Sequence, residues 1–308
     1  MSLLQIEHIS KKWDNRLVLD DVTFEIPKNK TTVILGKSGG GKSTLLKIIA
    51  GLVNPDEGDI KIDNVIQAKA FQLLIPGNDL IKLVNQDFQL DIYHTVEENI
   101  RLKILHLKQD EQVALTEELL ELFELNSIAN KKALQISGGE QQRLALARAL
   151  ALEPKFLLLD EPFVHLDQSM KTKVGDFLTR LKEKKKTSIV LVTHDGKEAL
   201  SWGDRIIFLQ QGKIMREDAP KAFYEHPTDF EEGLFFGELN EINYLGKKRF
   251  FRPEMYVFSD SKDAISVTFH TNRYIGRGYL NYGITKQKEN IVIESKEALK
   301  NTLTIIPT

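Results

Sequence analysis

Apolar and polar residues alternate in Leu4-Gln5-Ile6-Glu7 and again in Val22-Thr23-Phe24-Glu25-Ile26, a period of two that predicts two half-buried strands around a turn at Asp14-Asn15. Ile60-Lys61-Ile62 adds a further strand after the turn Pro55-Asp56-Glu57-Gly58. Two other runs, Thr32-Val33-Ile34-Leu35 and Phe156-Leu157-Leu158-Leu159, lack alternation, as strands covered on both faces of a parallel sheet do. The period becomes helical over residues 96–107 and 113–125, where Val113, Thr116, Leu119, Leu120 and Phe123 share a face. Residues 139–152 read as another helix, and Met170, Val174, Phe177, Leu178 and Leu181 line one face of the next. A strand at 188–193 follows, and Gln210-Gln211-Gly212 turns a hairpin between 205–209 and 213–216. Strands alternating with helices indicate an α/β fold with a doubly covered sheet, carrying an antiparallel β subdomain and a helical insertion.

After a helix near 219–225, residues 226–238 mix Pro, Gly and acidic side chains and read as a linker. Beyond it, Val257-Phe258, residues 265–269, Tyr279-Leu280 and Ile291-Val292-Ile293 are short strand-like runs between turn residues, which predict a small all-β domain. The expected domains are therefore 1–235 and 236–308, in keeping with a chain of 308 residues.

A formal net charge of -2 provides no global basic field, so nucleic acid is not an expected partner. The absence of cysteine excludes disulfides, Fe–S clusters and Cys-ligated zinc, and fits a reducing compartment. The N-terminal residues, interrupted by Gln5, Glu7 and His8, lack the apolar core of a signal peptide, and no apolar run reaches about 18 residues. A membrane role would act through a partner.

The strand-like run ending at Leu35 leads into Gly36-Lys37-Ser38-Gly39-Gly40-Gly41-Lys42-Ser43-Thr44 and then an amphipathic stretch, so the P-loop pattern GxxxxGK[ST] sits between strand and helix as it should. Glycines let successive N–H groups and a helix N-terminus converge on phosphate oxygens. Lys42 reaches the β- and γ-phosphates of a nucleotide and the Ser43 hydroxyl ligates Mg²⁺. The fold class is thus that of a P-loop NTPase core.

A second constellation narrows the class. Ile136-Ser137-Gly138-Gly139-Glu140-Gln141-Gln142-Arg143 resembles the signature sequence of the ATP-binding cassette (ABC) family, with Ile136 where Leu is usual. Residues 156–162, ending Asp160-Glu161-Pro162, resemble that family's Walker B strand and catalytic glutamate. Gln86 resembles the Q-loop glutamine, Val164-His165-Leu166-Asp167 the D-loop, and His194 the switch histidine; Trp13 stands where the family stacks adenine. The resemblance spans residues 1 to about 225. It implies an ATPase using ATP and Mg²⁺, with Glu161 as general base, His194, Lys42 and Gln86 assisting, and Ser43, Gln86 and Asp160 around the metal. Two stretches depart from the family pattern: Asp91-Ile92-Tyr93-His94 replaces a Pro-containing stretch, and Val164-His165 stands where small residues are usual.

Ser137-Gly138-Gly139-Glu140 also fits the capping box S-x-x-E, a local reason for a helix to begin there. A helix N-terminus with two glycines is a second anion site as well. In ABC proteins the two cradles meet in a head-to-tail dimer, so the resemblance implies that Ser137 and Gly139 of one copy close over ATP held by the P-loop of another. The C-terminal part resembles, more loosely, the OB-like β-domain of bacterial importers, on Arg252-Pro253-Glu254 and Tyr274-Ile275-Gly276. The expected protein is the ATP-hydrolysing subunit of an importer, a homodimer on the cytoplasmic face of the membrane beneath integral-membrane subunits, fed by a substrate-binding protein. The alternatives are an exporter ATPase, a soluble ABC ATPase acting on nucleic acid or the ribosome, and a module that senses ATP without turnover.

Overall fold

The computed structural model describes residues 2–308 except 69, 71–75, 79, 85–89, 153 and 165. Gln86 and His165 therefore lie outside the described residues. The chain gathers into two compact units, one comprising Met1–His194 and Ser201–Glu217, the other Asp195–Leu200 and Asp218–Thr308.

The elements of the first unit are, in chain order, β1 (Ser2–Trp13), β2 (Arg16–Pro27), β3 (Thr31–Leu35), α1 (Lys42–Ile49), β4 (Glu57–Ile62), β5 (Val65–Ile66) and β6 (Ile81–Val84). They continue with α2 (Val96–Arg101), α3 (Gln109–Leu122), α4 (Gly138–Ala151), β7 (Phe156–Asp160), α5 (Gln168–Arg180), β8 (Ser188–Thr193) and, after α6 (Gly196–Trp202), whose residues up to Leu200 belong to the second unit, β9 (Arg205–Gln210) and β10 (Lys213–Asp218). The turn residues of the unit's N-terminal hairpin, Asp14 and Asn15, both take positive φ, as a two-residue turn between twisted strands requires.

One sheet runs β2-β1-β4-β5 and the other β10-β9-β3-β8-β7-β6. In the second, β3 pairs in parallel with β8 and β9, and β7 with β8 and β6. Every residue of β3, β7 and β8 is buried, which explains their unbroken apolar character. Because β8 stands between β3 and β7, the segments leaving the carboxyl ends of these strands emerge side by side, where open α/β sheets place their ligands. The five expected core positions, four on α5 from Met170 to Leu178 and Leu181 just past its end, are all buried. On α3 burial begins only at Thr116, and Val113, one turn earlier, is 44% exposed.

The second unit adds α7 (Pro220–Glu225), α8 (Phe230–Leu234), β11 (Asn240–Tyr244), β12 (Lys247–Phe251), β13 (Tyr256–Phe258), β14 (Ile265–Tyr274), β15 (Tyr279–Thr285), β16 (Asn290–Ser295) and β17 (Asn301–Pro307). β11 pairs with β12, and the others form an antiparallel sheet in the order β13-β17-β14-β15-β16 around Val267, Phe269, Ile291, Ile293 and Ile305. The all-β character matches the expectation. Asn240 bonds β16 with its side chain, its amide donating to Val292 O and its Oδ1 accepting from Val292 N.

Residues 226–238 do not form a linker. Asp229 caps α8 by accepting from Glu232 N at 2.8 Å, and Glu232, 1% exposed, accepts from both the backbone and the hydroxyl of Thr228. The Arg252 guanidinium donates to the carbonyls of Tyr224, Gly233, Gly237 and Glu238, so one buried side chain fastens the whole segment. Among the described residues no helix is long and apolar enough to cross a membrane.

Candidate active site

The P-loop begins where β3 ends. A Cβ on Gly36 would overlap the carbonyl oxygen of Leu209, so the chain passes the end of β9 closely enough to admit only glycine. Gly41, at φ +95°, precedes α1 in a left-handed conformation, and its missing Cβ would lie 2.7 Å from Val18 O. The loop is therefore walled by its own chain. Lys42 is buried, and its ammonium donates to Gly36 O at 2.8 Å and Lys37 O at 2.9 Å, closing the loop on itself. Burial lowers the Lys42 pKa, while the carboxylates of Glu161 and Asp160 pull the other way. A desolvated cation inside a glycine-rich loop at a helix N-terminus is an anion seat.

Asp160 ends β7, and burial pushes its carboxyl pKa up against a hydrogen bond from the Ser43 side chain; Glu161 adds to the rise. Its Oδ1 is buried and without a hydrogen-bond partner. Such an oxygen has no reason to be there unless something fills the remaining coordination, and a hard cation suits a carboxylate and a hydroxyl. Glu161 adopts φ +50°, strained for a residue with a side chain, while its N–H donates to Val192 O at 3.0 Å. That backbone twist accompanies a side-chain contact: Glu161 Oε1 lies 3.0 Å from His194 Nδ1, just past the end of β8. A lysine, a metal-type carboxylate, and a carboxylate–imidazole pair are thus gathered at three adjacent strand ends. Chemically this arrangement can seat a nucleotide's phosphates and hold a water for in-line attack.

Ser137 is the N-cap of α4 and completes the expected capping box: Glu140 N donates to its Oγ at 3.4 Å, and Ser137 N and Oγ each lie 2.7 Å from Glu140 Oε2. A Cβ on Gly138 or Gly139 would meet nothing within 4 Å. Asp167 likewise caps α5, accepting from Met170 N at 2.8 Å.

Residues 19–164 match the model of the ABC transporter family. The sulfate/thiosulfate import ATP-binding protein CysA of Nocardia farcinica is 38% identical over 78% of this chain and 72% of its own length. The chain belongs to the ABC transporter family. The Fe(3+) ions import ATP-binding protein FbpC of Pseudomonas fluorescens is 37% identical over 77% of the chain and 67% of its own length. For the putrescine transport ATP-binding protein PotG of Escherichia coli the identity is 36%, over 80% of the chain and 65% of that protein. Among solved structures, a dimeric ATP-binding cassette in a post-hydrolysis state bound to ADP and Pi superposes with a TM-score of 0.62 at 33% identity, covering 71% of this chain and 99% of that one.

Within this ABC cassette the P-loop, Asp160, Glu161 and His194 come together, whereas Ser137 through Glu140 bond to one another. Trp13 ends β1, 49% exposed, on the hairpin whose second strand supplies the Val18 carbonyl beside Gly41. Lys11 Nζ stands 5.0 Å from the Trp13 ring centroid and bonds Asp56 at 2.7 Å; the sequence reading passed over this lysine. It also missed Gly175, where a Cβ would collide with the Trp202 ring, itself 5.8 Å from Phe163. The only local signal was a glycine inside an otherwise amphipathic helix.

Proposed function

We infer that this chain is the ATP-hydrolysing subunit of an importer, cleaving ATP with water to ADP and phosphate as a head-to-tail homodimer. The observation that carries the reading is the gathering of Lys42, Asp160 and the Glu161–His194 pair at neighbouring strand ends, with a second, open glycine-bearing helix start at Ser137. Residues 1–235 are the ATPase domain and 236–308 a C-terminal β-domain of the OB-like kind. The import ATP-binding proteins among the relatives support import over export; they differ in cargo, being named for putrescine, sulfate/thiosulfate and Fe(3+) ions, so no cargo passes to this chain.

In this reading the residues 36–44 wrap the phosphates, and Lys42 exchanges its loop carbonyls for phosphate oxygens. Glu161 accepts a proton from the attacking water, and His194, bonded to its Oε1, holds the carboxylate and the water in line. Ser43 and Asp160 would hold Mg²⁺, which when bound would neutralise phosphate charge. Trp13 stacks on adenine, and Asp167 and Gln86 complete the nucleotide contacts. Ser137, Gly138, Gly139 and Glu140 of the second copy close the site. Glu161→Gln is expected to lower steady-state hydrolysis by about 100-fold or more while ATP still binds. Normal turnover in that variant removes Glu161 from the general-base role.

The membrane subunits dock on the helical part of the cassette. Tyr93 is 73% exposed, and Leu134, also exposed, donates its N–H to Ile92 O, so Ile92, Tyr93 and Leu134 form an apolar surface suited to a protein partner. The protein works on the cytoplasmic face, and a substrate-binding protein delivers cargo from the other side. Stimulation of hydrolysis by DNA or ribosomes, and not by the membrane subunits, would favour the soluble alternative.

A further inference from the structure

The second unit contains a cavity of about 710 Å³, within the range of about 300–1,000 Å³ of small-molecule sites. Its walls are built from three places in the chain: Lys197 at the start of α6, the fastened segment around Tyr224 and Phe236, and the sheet residues Arg273, Arg277 and Glu294. Internal bonds make these walls rigid. Tyr224 donates its hydroxyl to Glu254 Oε1 at 2.5 Å, and Arg277 grips Glu294 with two bonds, at 2.8 and 2.9 Å. The fully buried Arg252 guanidinium lies 4.5 Å from the Tyr224 ring centroid and adds positive charge behind the wall. Burial and the bond to Glu254 push the Tyr224 hydroxyl up to about 12, so it stays a donor throughout the physiological range.

Of the three lining carboxylates Glu254 and Glu294 are engaged and the exposed Glu238, among the described residues, is not, while on the donor side Arg273 is left over. Arg273 lines the cavity, and among the described residues no carboxylate pairs with it. A guanidinium presents a planar fork of donors that matches a carboxylate. The same lining includes the half-buried Ile275 above an apolar floor of the buried Phe236, Pro253 and Leu280. We propose that this cavity is a binding site for a small monocarboxylate with an apolar or aromatic body, the carboxylate on Arg273 and the body against Pro253, Ile275 and Leu280.

The site has a covalent route to the chemistry. Lys197 follows His194 by three residues, its N–H is bonded at 2.7 Å to Asp195, and a Cβ on Gly196 would overlap the carbonyl of Phe235. The segment after His194 is thus locked to the cavity wall beside Phe236, and a ligand seated against that wall alters how His194 is held. This second step rests on the reading of His194 as part of the hydrolytic site; binding itself does not.

The test uses the full chain with phenylacetate as probe and phenylacetamide as its uncharged counterpart. Binding is measured by calorimetry in the Lys42→Ala variant, so that the P-loop does not compete for the anion. The expected result is saturable phenylacetate binding near the millimolar range, weakened about tenfold both in phenylacetamide and by a further Arg273→Gln substitution. In the otherwise wild-type protein the probe shifts the hydrolysis rate over the same concentrations, and Arg273→Gln alone keeps basal hydrolysis but loses that shift. No binding of phenylacetate, benzoate or phenylpropionate at about 10 mM overturns the site, as does binding that Arg273→Gln leaves unchanged. Binding with no change of rate overturns the link to His194 and leaves the ATPase reading intact.

Discussion

Two helices of this chain start at a pair of glycines, Gly40-Gly41 and Gly138-Gly139, and they are built in opposite ways. At α1 the loop is walled in: Gly36 presses on Leu209, Gly41 on Val18, and the buried Lys42 bonds two loop carbonyls. At α4 nothing lies within 4 Å of where a Cβ on Gly138 or Gly139 would stand, and the cap is closed by Ser137 and Glu140 alone. Both ends present N–H groups and the positive end of a helix dipole. The first is glycine-rich because its own chain crowds it. The second has no such crowding, which leaves it open for the closure by another copy proposed above.

Substitutions at the two sites are expected to part company. Gly36→Ala forces a Cβ into the Leu209 carbonyl, so it is expected to cost several kcal/mol and abolish ATP binding, read by thermal denaturation and nucleotide titration. Gly139→Leu, in open space, is expected to leave ATP binding intact and stability within about 1 kcal/mol, yet to cut hydrolysis by about 100-fold. Equal loss of stability in both variants would erase the contrast.

Ser137 separates capping from nucleotide closure. Ser137→Ala is expected to cost about 1 kcal/mol through the lost cap, whereas Ser137→Asp, an equally good N-cap, restores stability and still fails to hydrolyse ATP because its charge faces phosphate. Recovery of hydrolysis in Ser137→Asp would reduce Ser137 to a cap. The smallest effect concerns Glu140, whose carboxyl is held below the ordinary glutamate value by bonds from the Ser137 side chain and backbone. Its folded pKa is depressed, so its contribution is present above the ordinary value of 4.5 and is lost as pH falls through the folded one. In Ser137→Ala the Glu140 titration, followed by NMR, moves back toward 4.5.

The parts of the site written in consecutive residues were legible in the sequence: 36–44, 137–140 and the acidic pair at the end of β7 each carry their chemistry locally. The turn at Asp14-Asn15 and the buried face of α5 were legible for the same reason. What escaped depends on distant partners. β1 and β2 run 12 residues each, yet only short alternating pieces show, because register shifts around His8 and Asp21, both at positive φ, reset the period of two. Residues 226–238 looked like a linker since their order comes from Arg252, far along the chain, and from an acid, Glu232, that only a folded segment buries. The left-handed backbone of Glu161 and the Leu209 contact at Gly36 leave no mark in local composition.

The complete ATP site is held to form only between two copies, and sedimentation of Glu161→Gln with and without Mg·ATP tests this most directly. The account predicts a monomer that becomes a dimer on adding ATP, and that remains a monomer with ATP bound once Gly139→Leu is added. A Glu161→Gln protein that binds ATP and stays monomeric at every concentration, or a dimer indifferent to Gly139→Leu, would contradict it.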